Sequence, residues 1–246
     1  MKKRLVIYLV LGLFVSSAWA FERYGRSVWV PAYQRIKGYE TVETAIDKYA
    51  LAAERRLIPA FARANVDYPP AQVAMLAMKK ERVMELWARE KTGERFVLIK
   101  RYPIKGKSGK LGPKLREGDR QIPEGIYSVT HLNPNSSYHL SMKLDYPNTY
   151  DQYYAQREGR THPGSNIFIH GKKVSIGCLA MGDRAIEELF TLAYRTGIEN
   201  IEVLIAPKDP RRYELRPSRG MPNWVSGLYQ QLTRRYNEFR TAGNRF

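Results

Sequence analysis

Residues 167–181, reading IFIHGKKVSIGCLAM, constrain this chain more than any other segment. They hold the only cysteine, Cys178, and a histidine eight residues upstream, His170. The apolar run Ile167-Phe168-Ile169 reads as a strand that delivers the histidine. A Gly-Lys-Lys turn follows, and His170 and Cys178 stand equidistant from Val174. That spacing predicts a hairpin centred on Val174 with the two side chains opposed across its ladder. Directly opposed Cβ atoms lie about 4.5–5.5 Å apart, which brings a thiol within reach of an imidazole. A thiolate nucleophile needs that arrangement: a base that removes its proton and holds the resulting charge. A lone cysteine is more often a small buried hydrophobe. Here glycine flanks both residues, at Gly171 and Gly177, which suits close backbone approach by a ligand.

The compartment points the same way. Residues 1–20 combine a basic start (Lys2, Lys3, Arg4), an apolar run over 5–15 and an Ala18-Trp19-Ala20 cleavage site. This is the pattern of a cleavable secretory signal, and it predicts a periplasmic protein with no stable membrane insertion after cleavage. In an oxidising space a single cysteine has no intramolecular disulfide partner, which leaves a reactive thiol or an intermolecular bond. Formal charge is +17, and the leader's three bases, with no acid, lower it to +14 in the mature chain. Such a basic exported protein suits an anionic partner. The compartment argues against nucleic acid, and the sequence carries no zinc-finger, zipper or RNA-recognition signature.

The remaining chain reads as α+β. Residues 21–38 are aromatic and basic without a clear period. Residues 41–63 form an amphipathic helix capped by Thr41, and after Tyr68-Pro69-Pro70 a second helix is expected, with Val73, Leu76, Ala77, Val83, Met84 and Trp87 inward. From Phe96 the period changes to two. Strands are expected at 96–102, 125–131, 138–144, 167–169 and 201–205, with a helix from Asp183 that stops at Gly197. The glycine-rich basic stretch 105–124 reads as an ordered binding loop or a solvated hairpin tip, with composition favouring the tip, 145–152 as turns and 153–165 as a polar loop. A basic linker precedes a last helix carrying Val225, Leu228, Leu232, Tyr236 and Phe239 on one side. The expected organisation is a signal at 1–20, a helical region at 21–92, a catalytic domain at 93–207, and a linker with C-terminal helix at 208–246.

The motif IHG-x3-S-x-GC-x-x-M, together with IPEGIY at 122–127, resembles the L,D-transpeptidase (YkuD-type) catalytic domain family. The phrase YPNTYD at 146–151 resembles a smaller branch that acts at or near the link between peptidoglycan and its attached lipoprotein. The resemblance implies a mostly antiparallel, sandwich- or barrel-like β core with helices at both ends. It implies Cys178 as nucleophile, His170 as base, a backbone carbonyl near Gly171 orienting the imidazole, oxyanion donors at Gly177 and Cys178, and Ser175 as a positioning hydroxyl. It also implies acyl transfer at meso-diaminopimelate of a peptidoglycan stem peptide, with an amine or water as acceptor. The wall-attached lipoprotein is a further candidate partner. Bases such as Lys110, Lys114, Arg116 and Arg120, and Asp151 in the branch motif, are candidate substrate contacts. Two positions depart from the family pattern: Ile176 where a basic residue is common, and Ala180 where arginine or asparagine is common.

Two rival readings use the same residues. His162, His170 and Cys178 recur at intervals of eight, as do His131 and His139, and three N/S ligands can hold zinc. No HExxH accompanies them, so neither metal nor cofactor is expected. A non-catalytic wall-binding protein would also carry this charge, and Ile176 and Ala180 would then mark lost activity.

Overall fold

The computed structural model describes residues 25–240, together with 8, 13, 15–17 and 21. The expected signal therefore lies almost wholly outside the described residues. Among those described, no helix is long and apolar enough to cross a membrane.

Two helices come first: α1 (Arg26–Lys37) and α2 (Val42–Ala64). Thr41 caps α2, its hydroxyl accepting from the Thr44 N–H at 3.2 Å, and Ile46, Ala53, Leu57 and Phe61 form the buried stripe. The expected second helix is instead a pair of strands, β1 (Gln72–Met78) and β2 (Val83–Arg89). They pair antiparallel, and β1 lies parallel to the late strand β8 (Ile201–Ala206). The physical reason is burial on both faces. Val73, Met75 and Ala77 meet one core with α2 and α4 (Asp183–Thr196); Ala74, Leu76 and Met78 meet another with α5 (Val225–Tyr236). A strand covered on both sides has no polar face, so its apolar residues do not alternate with polar ones.

The remaining strands are β3 (Val97–Pro103), β4 (Gly125–Ser136), β5 (His139–Leu144), β6 (Phe168–His170) and β7 (Leu179–Ala180). The sheet order is β3-β2-β1-β8-β4-β5-β6-β7, with only β1·β8 and β6·β7 parallel. Its two ends meet. The chain leaving β3 bonds β7, with Lys105 N–H donating to the Ala180 carbonyl (2.8 Å) and Ala180 N–H to the Gly106 carbonyl (3.3 Å). The fold is thus α+β with a mostly antiparallel sheet that curls back on itself. The boundary expected at residue 93 falls inside this sheet, between β2 and β3.

Two loops are more ordered than their composition implies. Residues 149–157 form helix α3 (Thr149–Arg157), whose capping box pairs Asn148 with Asp151. The basic stretch 105–124 is no solvated tip. Buried Lys79 donates to the carbonyls of Gly112 (2.9 Å) and Ile122 (2.8 Å) and pairs with Glu124 at 3.0 Å. Glu124 in turn accepts from Gly112 N–H (2.7 Å) and from Tyr229 of α5 (2.8 Å). Every polar end of this buried pair has a partner, so the loop is pinned to the sheet on one side and to α5 on the other.

Candidate active site

The hairpin expected around Val174 does not form. Strands β6 and β7 run parallel, with Ile169 opposite Leu179 and His170 opposite Ala180. The local sequence cannot show why: β7 is held on its other side by Lys105 and Gly106, which arrive from β3. Extending the parallel register by one residue places Cys178 beside Phe168. His170 and Cys178 then share a face, offset by two residues along neighbouring strands. Two residues of rise and one strand spacing put their Cα atoms about 8 Å apart. Both side chains line one cavity of about 670 Å3.

His170 is buried, and its Nδ1 lies 2.6 Å from the Gly171 carbonyl oxygen. A carbonyl only accepts, so Nδ1 carries the proton and Nε2 keeps its lone pair. Burial pushes the imidazole pKa down to about 4, against the opposing pull of that hydrogen bond. Tyr138 lies against the ring at 4.9 Å between centroids.

Cys178 is half-buried, and its thiol points to the Asn166 carbonyl at 3.8 Å. Burial pushes its pKa up, because the atoms packed around it desolvate a thiolate. The resting pair is therefore neutral thiol and neutral imidazole. The Gly177 and Cys178 N–H groups both donate to Ser175 Oγ, at 3.3 and 3.0 Å, and that hydroxyl donates to the Cys178 carbonyl at 2.6 Å. Gly177 adopts φ +130°, a conformation that glycine takes without strain.

The cavity brings together some expected residues and leaves out others. Cys178, His170, Gly177, Lys114 and Arg120 line it; Ser175 and Gly171 stand behind it. Lys114 is buried and committed to Asp119 at 2.6 Å and to the Arg116 carbonyl at 2.8 Å. Arg120 is exposed at the rim. Asp151 is absent from the wall: it caps α3 beneath Tyr127, and burial raises its carboxyl to about 7. Among the described residues, no three His, Cys, Asp or Glu side chains cluster to hold a metal ion. Two further lining residues escaped the sequence reading. Asn166 gave a faint signal as a turn former before a strand, and it sits at φ 56°. Tyr138 gave none, because its contact with His170 depends on the pairing of β5 with β6.

Ile176, 68% exposed, stands on the rim, and Ala180 is fully buried with its backbone committed to Gly106. Gly106 itself is tightly placed: a Cβ there would lie 2.1 Å from the Lys173 carbonyl oxygen. Gly106→Ala is expected to displace the 171–178 loop and lower kcat/KM about 100-fold, since a 1 Å misplacement at a reacting group costs that much. Steady-state kinetics would check this, and an unchanged kcat/KM would show that the loop tolerates the shift.

The sheet thus presents a cysteine and a histidine in one cleft. The chain belongs to the YkuD family, the L,D-transpeptidase catalytic domain, whose model matches residues 72–205. It is 40% identical over 134 residues to the Escherichia coli (strain K12) protein described as "Putative L,D-transpeptidase YafK", covering 52% of this chain and 51% of that protein. The chain thus spans about half the length of the curated relatives it matches. Among solved structures it is similar to the helical cell shape determining protein Pgp2 from Campylobacter jejuni. That match has 19% identity and a TM-score of 0.47, covering 66% of this chain and 52% of that one. It is also similar to Bd1075 of Bdellovibrio bacteriovorus, with 23% identity and a TM-score of 0.42, covering 70% of this chain and 58% of that one.

Proposed function

We propose that this chain is an exported, periplasmic cysteine acyltransferase that acts on peptidoglycan stem peptides at the carbonyl of meso-diaminopimelate. The observation that carries this reading is the shared cavity: Cys178 and His170 open into one cleft, with His170 Nδ1 tied to Gly171 and Nε2 left as base. Family membership supports the substrate class.

In this mechanism His170 Nε2 takes the thiol proton as the sulfur attacks the carbonyl carbon. The S–C bond forms and the carbonyl oxygen becomes an oxyanion. The C–N bond then breaks, and His170 returns its proton to the departing amine, leaving a thioester on Cys178. Water or a second amine attacks the thioester, with His170 again accepting the proton. Burial disfavours both a free thiolate and an imidazolium, so proton transfer accompanies attack rather than preceding it. The Gly177 and Cys178 N–H groups receive the oxyanion once Ser175 Oγ releases them; losing one such donor typically costs about 2.7–4 kcal/mol.

Hydrolysis by the same thioester is a second reading, in which the departing group includes the wall-attached lipoprotein. The test is incubation with purified muropeptides, comparing wild type with Cys178→Ala by product mass spectrometry. Cleavage or exchange at diaminopimelate is expected, and it is abolished in the variant. Run in 18O-water, the same assay separates hydrolysis from transfer. Unchanged muropeptides with both proteins would support a non-catalytic wall-binding role.

A further inference from the structure

A second cavity, of about 360 Å3, adjoins the thiol cavity, and Tyr138 and Val174 line both. Lys172, Lys173, Asp183 and Arg184 line the second cavity as well. Asp183 is the one acid among these lining residues. Lys172 already occupies it twice, with its N–H on Oδ1 at 2.8 Å and its Nζ on Oδ2 at 2.8 Å. Lys173 and Arg184 are exposed, and among the described residues neither has an ion-pair partner. In the thiol cavity the buried cation, Lys114, is already neutralised by Asp119, and Arg120 is the exposed cation at its rim.

We propose that this second cavity is a carboxylate subsite, which seats the amine half of the reaction by the carboxylate that the amine carries. The inference rests on the acyl-transfer reading above and adds the recognition of the departing or incoming amine. The geometry needed is short. The scissile nitrogen lies next to the carbonyl under attack at Cys178, and an α-carboxylate sits two bonds beyond that nitrogen. A substrate lying over Tyr138 and Val174 would hold its acyl half in the thiol cavity and its carboxylate against Lys173 and Arg184. Two uncompensated cations in a concave site favour such an anion, and most of the gain comes from the planar guanidinium.

The test uses two stem tetrapeptides that differ only at the C-terminus, one ending in D-alanine with a free carboxylate and the other in D-alaninamide. Wild type is expected to favour the carboxylate in kcat/KM by about tenfold, the worth of one charge-assisted contact at a solvated site. In Lys173→Ala/Arg184→Ala that ratio falls to about one, and in Lys173→Glu/Arg184→Glu it inverts. The same ratio is read as binding, by calorimetry of both peptides with full-length Cys178→Ala protein and with that protein carrying the cavity substitutions. Equal preference in wild type and variants would overturn the subsite. If neither peptide turns over, the acyl-transfer reading fails, and the calorimetric ratio alone decides whether the cavity recognises a carboxylate.

Discussion

Replacing Lys79 by methionine will destabilise the protein by about 3–5 kcal/mol, the usual cost of removing one partner from a buried ion pair. The side chains of Lys79 and Glu124 are 1% and 0% exposed, and they meet at 3.0 Å. Without the ammonium, Glu124 keeps only the Gly112 N–H and the Tyr229 hydroxyl for a full negative charge. The carbonyls of Gly112 and Ile122 lose their donor as well. Burial lowers the pKa of Lys79 while Glu124 opposes that shift, so the ammonium depends on its partner to remain charged. The double variant Lys79→Met/Glu124→Leu is expected to recover part of the loss, because it removes the orphaned charge. Denaturant unfolding of the two single variants and the double variant checks this. A single-variant loss under about 1 kcal/mol would mean that water reaches the pair.

The second large effect is expected at His170. Removing a general base typically costs about 10²–10⁴ in rate, and His170→Ala is expected to lower kcat/KM within that range. The pH dependence separates a base from a packing residue. With its pKa near 4, the free protein's imidazole is neutral from about pH 5 upward, so the acid limb of kcat/KM should fall near 4 rather than near 6.5. Stability follows the same group. The folded pKa is lower than the unfolded one, so the unfolded chain binds more protons between pH 6.5 and 4. Stability contributed by burying the neutral ring is complete above pH 6.5. It falls as pH drops through that window, by about 3 kcal/mol in all. An acid limb near 6.5 would show that His170 is solvated in the working protein.

The parts of the fold legible in the sequence are those whose partners are close in the chain or whose burial is one-sided. Helix α2 announced itself through Thr41 and a single apolar stripe, α4 through Ile186, Leu189, Phe190 and Ala193, and β8 through alternation into Pro207. Strands β1 and β2 were illegible because both faces are covered, so Val73, Leu76 and Ala77 fit a helical period as well as a buried strand. Helix α3 is only nine residues long with two buried residues, and its capping box at Asn148 and Asp151 sat inside a phrase rich in turn formers. At the site, the motif located Cys178 and His170, but not how they meet. Their parallel register depends on Gly106, more than 60 residues away, and the cavity's Tyr138 depends on the β5–β6 pairing. Asp151 shows the opposite error: a residue inside a recognised phrase whose contacts are structural.

In the proposed mechanism the Cys178 sulfur carries the acyl group. Rapid-quench intact-mass measurement of wild type with a stem tetrapeptide tests it most directly. A transient mass gain equal to the acyl tripeptide is expected, mapped by digestion to the peptide containing Cys178 and missing in Cys178→Ala. Product formation with no protein-bound acyl group, at a rate that Cys178→Ala retains, would contradict it.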